Sequence, residues 1–491
     1  MSAPPVPLEV VDIQRPILYG YGMEQSRHFV LRVRHVYTAR RFIGELARRR
    51  LIANAAIDGA DAQELDRQGY GPANIGISYQ GLKELGLPER YLYVFQEKAK
   101  AFAEGAYLRA ARRLADTGPS AAERWQDCFK PDQAHILLSI YADDEAGLAS
   151  ATARLTRLDG ADGLCGWDCP FDAAHLTTRQ EGRTVHFGYR DGISVPAIEG
   201  TPGQKKTKDL HEPGEFLLGY DNDAGFNPWR LPFPHLLPWL LPLQPEDCPE
   251  FFRNGSFAVF RKIEQDVKGF HDAVTRWAKQ LERGRNPGKQ LEDWSEYVMA
   301  KLCGRSRDGR AASAASPADS GWNTKPEDKD LNDFDFSDDK DGLGCPFGAH
   351  IRRMNPRAGA AVVPLRRRPL IRRGMPYGPK FDSSAAPTDP KPERGLLGLF
   401  FCASLEDQFE HLLAQWGDAN PMGPCNRGNA KDPLIGNHQD PRSVFDIPLE
   451  GEDLRQLEGF TPYVTTRGTL YAFYPSLKAL SVIGLARKPK R

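Results

Sequence analysis

The stretch GSFAVFRKIEQDVKGFHDAVTRWAKQL (residues 255–281) changes period part-way along. Its first part reads as a strand, and the rest as a helix amphipathic at helical spacing. The same strand-then-helix unit recurs on both sides of it. HFVLRVRHVY (28–37) runs into TARRFIGELARRRLI, NIGISYQGLKELGL (74–87) turns from strand to helix, and HILLSIYA (135–142) precedes DDEAGLASATARLTRL. The acidic opening of that last helix suits a helix N-terminus. Towards the other end, LGLFFCASLEDQFEHLLAQW (397–416) and GTLYAFYPSLKAL (468–480) repeat the pattern. Single helices between strands in both halves predict two similar α+β lobes with helix-covered sheets.

Composition narrows the function classes. The 491 residues suffice for about two to four domains. Lys plus Arg and Asp plus Glu both number 65, so overall charge argues against a general nucleic-acid or acidic-membrane binder. The most apolar run, LPFPHLLPWLLPL (231–243), carries four prolines and falls short of a ~20-residue span. The opening MSAPPVPLEVVDIQRPILYG has neither a cationic region nor an apolar one of signal-peptide type, which sets the expectation of a cytoplasmic, non-membrane protein. Eight irregularly spaced cysteines do not form a disulfide framework and read as reduced thiols. Two polar stretches, 304–342 and 377–395, are expected as long surface loops.

Three places carry candidate chemistry. HFGYRDGISVPAIEG (186–200) contains Gly-x-x-Asp-Gly, with Gly188 and Gly192 flanking Asp191 at the end of a strand-like TVHFGY. Two glycines let the backbone turn sharply and approach a flat ligand, leaving one carboxylate projecting; a plain Asp-Gly turn has the same signature. CPFGAHIRRMNPRAGAAVVPLRRRPLIRRGMPYG (345–378) places His350 before a dense set of arginines, Arg353 and Arg372 among them. Guanidinium groups in a near-neutral chain fit either a buried anionic cofactor or a solvated loop. CGWDCPFDAAH (165–175) has Cys-x3-Cys-x5-His spacing, a weak zinc pattern without a matching second pair.

Taken in order, these pieces resemble the dye-decolorising peroxidases, a family of haem enzymes. The resemblance runs from DIQRPILYGYG (12–22) through GEFLLGY, NGSFAVFRKIEQDV and GCPFGAHIRRMNPR to YAFYPSL, and the long insertions resemble those of the larger members. It implies an α+β fold of two ferredoxin-like lobes, residues 1–212 with the Gly-x-x-Asp-Gly motif and 213–491 with a haem cleft and the 304–342 insertion. It further implies one haem b per chain, His350 as the axial iron ligand, and Asp191 and Arg372 as the distal acid–base pair. Arg372 is chosen over Arg373 because the family arginine stands two residues before the position of Gly374. Gly188, Gly192 and Arg353 are expected at the cofactor, and Leu399 and Phe401 on one wall of the distal pocket.

The implied reaction reduces hydrogen peroxide through an oxidised ferryl haem and takes single electrons from dyes or phenols. Tyr189, Tyr377 and Trp416 stand as candidates for relaying electrons from the surface. Glu406 and Asp407 are candidates for the carboxylate behind His350, although helix capping explains both. Cys345 as a haem thiolate is the alternative ligand, and a haem carrier without turnover is the alternative function.

Overall fold

The structure, a computed structural model, describes residues 7–56, 72–204, 207, 209–230, 247–282, 290–312, 331–332, 334–360, 366–384, 391–419, 431–440, 442–449 and 454–485. The proline-rich run 231–243 and residues 313–330 and 333 of the expected 304–342 insertion lie outside them. Among the described residues no helix is long and apolar enough to cross a membrane.

The N-terminal half supplies β1 (Gln25–Val33), α1 (Val36–Arg48), β2 (Ala73–Ile77), β3 (Ile136–Ala142), α2 (Glu145–Leu155), β4 (Leu164–Cys165) and β5 (Phe171–Ala174). The C-terminal half supplies β6 (Ser256–Gln265), α3 (Val267–Glu282), α4 (Leu291–Cys303), α5 (His350–Met354), β7 (Ile371–Arg372), β8 (Met375–Tyr377), β9 (Gly395–Cys402), β10 (Val464–Tyr474) and α6 (Leu477–Gly484). Between β9 and β10 come two π-helical segments, Leu405–Glu410 and Leu412–Gly417.

All these strands pair antiparallel. The N-terminal sheet runs β4-β1-β3-β2 and the C-terminal sheet β10-β6-β9-β8. Numbering the strands within each lobe gives 4-1-3-2 twice, the order of a ferredoxin-like unit. Each lobe also adds one short strand to its path, β5 on β1 and β7 on β9. The lobes meet where β10 and β2 share the pair Phe473 and Ile77. Their hydrophobic core is continuous, with Phe29 and Leu138 of one sheet in the same cluster as Phe257 and Tyr471 of the other.

Local chemistry explains the turning points. β6 is buried along most of its length: β9 and β10 flank it, Phe257 packs against Phe95 and Phe102 on one face, and Phe260 against His28 and Phe171 on the other. Its Arg261 is buried with the strand and meets Asp116 in a two-pronged ion pair at 2.6 and 2.7 Å, with Thr466 and Thr469 accepting the remaining protons. Asp144 caps α2 by accepting from Gly147 N–H, as the acidic opening predicts. The strand expected at TVHFGY is instead a turn: Thr184 and Arg190 form an isolated bridge that closes the loop between them. The positive φ of Gly188 ends any extended run there.

Candidate active site

Asp191 sits at the exit of that turn. Its N–H donates to Arg183 C=O at 2.9 Å, and Gly188 N–H donates to Val185 C=O at 2.8 Å. Gly188 (φ 93°) and Gly192 (φ 77°) both occupy the left-handed region, so each needs glycine. At Gly192 a Cβ would meet nothing within 4 Å, leaving the backbone beside Asp191 bare. The carboxylate faces Arg372: Oδ1 lies 3.4 Å from Nη1, and the side chains are 40% and 41% exposed. Residues 181 positions apart thus form a solvent-accessible acid–guanidinium pair.

Strand alternation settles which arginine takes part. Arg372 and Arg373 point to opposite faces. Arg373 turns inward, where its guanidinium donates to Pro16 C=O (2.9 Å) and Leu18 C=O (3.2 Å) and burial pulls its pKa down to about 10. Arg372 pairs with Phe400 across the β7–β9 ladder and shares its face. This register corrects the expectation for Leu399 and Phe401. Both are buried on the opposite face of β9, in the main core, with the Phe401 ring edge-on to Tyr474 at 4.9 Å. The wall residue that β9 contributes on the side of Arg372 is Phe400, half-buried against Phe409.

His350 begins the short helix α5. Its Nδ1 lies 2.8 Å from Asp432 Oδ2; the imidazole side chain is 24% exposed and the carboxylate 0%. Asp432 Oδ1 accepts from the N–H groups of Leu434 (2.9 Å) and Ile435 (3.1 Å). Burial opposes its charge, but the partnership with His350, the nearby Arg353 and the backbone donors outweigh burial and lower its pKa. An ionised Asp432 accepts the hydrogen bond of Nδ1–H; in the neutral imidazole this leaves the lone pair on Nε2, which makes no hydrogen bond among the described residues. An imidazole with an anionic partner behind it and a free nitrogen ahead is the donor that haem iron takes, so the residues present fit that group.

Sequence reasoning missed Asp432, which is 82 residues from His350. Its local signature, an aspartate taking the next N–H groups in Asp-Pro-Leu-Ile, marks a turn and nothing more. Glu406 and Asp407 belong elsewhere: Glu406 accepts from Ala101 N–H, and Asp407 lies in the helical turn capped by Ser404. Arg353, expected at the cofactor, is fully buried and donates to the carbonyls of Gly348, Trp416 and Ala419. It ties α5 to the second π-helical segment. Arg352 does the same on the other side, through Ala360 C=O, Cys345 C=O and Asp339.

Two sites bear on the alternatives. Cys345 is fully buried and burial pushes its thiol up to about 12, which suits a packed thiol and not a thiolate ligand. Cys169 is exposed, and among the described residues no three His, Cys, Asp or Glu side chains gather as a metal site, Cys165, Cys169 and His175 included. Tyr189, Tyr377 and Trp416 are all buried, so none is itself a surface contact for a reductant. The buried Cys303 thiol lies in the electrostatic fields of both Asp432 and Arg372.

No family model matches the chain. The dye-decolorizing peroxidase msp1 of Mycetinis scorodonius is 27% identical over 97% of this chain and 88% of its own length. A dye-decolorizing peroxidase of Exidia glandulosa is 26% identical over 96% and 87%. Over nearly its whole length the chain is similar to dye-decolorising peroxidases. The multifunctional dye peroxidase DyP2 of Amycolatopsis sp. is 33% identical over 60% of each chain. Solved dye-decolorising peroxidases share the fold. One in complex with 2,6-dimethoxyphenol matches 97% of this chain and 100% of its own at a TM-score of 0.77 and 24% identity. Another, from Auricularia auricula-judae, matches 97% and 100% at 0.75 and 22%. These near full-length likenesses support a peroxidase and imply haem.

Proposed function

We propose that the protein binds one haem b through His350 Nε2 and uses the Asp191–Arg372 pair to reduce hydrogen peroxide at the expense of dyes or phenols. Two pairings carry this: a projecting carboxylate set against a guanidinium, and a histidine whose Nδ1 is held by a buried aspartate.

Haem, when bound, supplies the electrons that split the O–O bond. The chain's own residues handle protons and charge. Asp191 Oδ1 is placed to take a proton from one peroxide oxygen and return it to the other, so that the departing oxygen leaves as water. Arg372 Nη1, 3.4 Å from that carboxylate, stabilises negative charge developing on the departing oxygen. Gly188 and Gly192 set the turn that carries Asp191, and the backbone at Gly192 is bare enough that a flat ligand would meet no side chain there. Asp432 holds the Nδ1 proton and the ring plane of His350. Each turnover consumes one peroxide, two protons and two electrons and yields two waters, the electrons coming singly from two reductant molecules. Buried Tyr189 donates its hydroxyl proton to Met299 C=O at 2.9 Å, which makes it a support for the motif's turn.

The test is oxidation of 2,6-dimethoxyphenol and of an anthraquinone dye by haem-loaded protein, with and without peroxide, across acidic pH. Peroxide-dependent turnover that collapses in Asp191→Asn and Arg372→Leu, with the Soret band retained, supports the reading. Haem-loaded protein inert to peroxide would instead establish a carrier.

A further inference from the structure

The short strand Leu210–His211, paired with Ala197–Ile198, buries a histidine between two carboxylates. His211 Nδ1 lies 2.5 Å from Asp223 Oδ2, and Nε2 lies 3.2 Å from Asp209 Oδ1. His211 and Asp209 are each almost fully enclosed, and the Phe216 ring stands edge-on to the imidazole. A neutral imidazole has one N–H and satisfies only one of two carboxylates; with both ring nitrogens so placed, the ring is the doubly protonated cation. The cluster reaches α5 through Asp209. Asp209 Oδ2 accepts from Asn355 Nδ2 at 3.3 Å, while Arg367 pairs with Asp209 Oδ1 and donates to Asn355 Oδ1 at 2.9 Å. Asn355 is the residue that ends α5, its N–H donating to Ile351 C=O.

We propose that His211 is a positioning residue: clamped as a cation between Asp209 and Asp223, it fixes through Asn355 the C-terminal end of the helix that begins with His350. The inference rests on His350 being the haem ligand. The charges close only with His211 protonated. Asp209 and Asp223 then face His211 and Arg367, two against two. Nearby, Glu215 lies 3.7 Å from Arg366, and its carboxyl pKa is raised by burial and by Asp223. Glu212, Glu199 and Asp221 add negative potential at the rim, and Arg357 adds positive potential on the side of Asp209. Loss of the His211 proton leaves a buried carboxylate without its counter-charge, which is costly.

The direction with pH follows. Burial of His211 opposes its charge, but the bonds to Asp209 and Asp223 outweigh burial and raise its pKa above 6.5. The clamp is therefore complete below pH 6.5 and is lost as pH rises through the folded-state value.

The experiment follows haem dissociation, by transfer of the Soret band to apomyoglobin, from pH 6 to 9 in wild type, His211→Gln and Asp223→Asn, with thermal melts of the haem-free proteins alongside. Wild type should lose haem faster above an alkaline midpoint. Asp223→Asn should move that midpoint acidward by about one pH unit or more. His211→Gln should lose haem about 10-fold faster at pH 6 and show no midpoint. A wild-type midpoint retained in His211→Gln overturns the proposal, as does an unshifted midpoint in Asp223→Asn. Wild type that takes up no haem would sink the ligand assignment instead. The clamp is then read from the melts, where an alkaline loss of stability that is absent in His211→Gln and moved acidward in Asp223→Asn upholds it, and a loss shared unchanged by all three removes it.

Discussion

The two carboxylates of the candidate site have little in common beyond their chemistry. Asp432 is sealed from solvent and takes three hydrogen bonds, from His350 and two backbone N–H groups. Asp191 is 40% exposed and has one ionic neighbour, at 3.4 Å. The first arrangement holds a geometry, since every oxygen lone pair that moved would lose a bond in a low dielectric. The second leaves the carboxylate free to exchange a proton with something that enters. A site that binds a cofactor on one side and turns over a small oxidant on the other needs both kinds of acid.

His350→Ala breaks the buried side outright, and haem titration should show retention lost or weakened by more than about 100-fold. Retention at wild-type affinity would transfer the ligand role to another residue. On the exposed side, Asp191→Asn and Arg372→Leu should keep the Soret band while stopped-flow rates with peroxide fall by about 10²–10⁴. Equal haem loss in these variants would mean that the pair is structural. Asp432→Asn is smaller, about 10–100-fold in haem affinity or activity, because His350 remains and only its orientation and basicity change.

The register across β7 and β9 sharpens the distal half further. Phe401→Ala should cost about 3–5 kcal/mol in denaturant unfolding and leave peroxide kinetics near wild type, because its ring lies in the core and not over Arg372. Phe400→Ala should do the reverse. The smallest effect concerns His28, buried between Ser139 Oγ (2.8 Å) and Ser26 Oγ (3.1 Å), with burial pulling its pKa down to about 4. Because the unfolded chain binds this proton first, haem-free protein should lose up to about 3 kcal/mol as pH falls from 6.5 towards 4. His28→Gln should flatten that limb, and an unchanged acid limb would assign it to other groups.

The sequence determined more of the fold than of the site. Strand-to-helix changes of period at 28–52, 135–158, 255–281 and 468–480 all appear in the structure, the first with its helix starting at Val36, inside the stretch read as strand, and ending at Arg48, because half-buried strands and amphipathic helices write their burial into local spacing. The ordered motifs led to Asp191, His350 and Arg372, and the structure brings Asp191 against Arg372. Three matters needed the folded chain. Whether Leu399 and Phe401 or Phe400 faces Arg372 depends on strand register, and a one-residue difference in register exchanges the faces. Arg353 reads in sequence as a cation for an anionic cofactor, but two of the carbonyls it donates to, Trp416 and Ala419, stand more than sixty residues away. Asp432 stands behind His350 only because the second π-helical segment passes close by, with Asp432 N–H donating to Gly417 C=O at 2.7 Å. Local pattern reports which faces are buried; which buried groups meet is fixed by the crossing of distant segments.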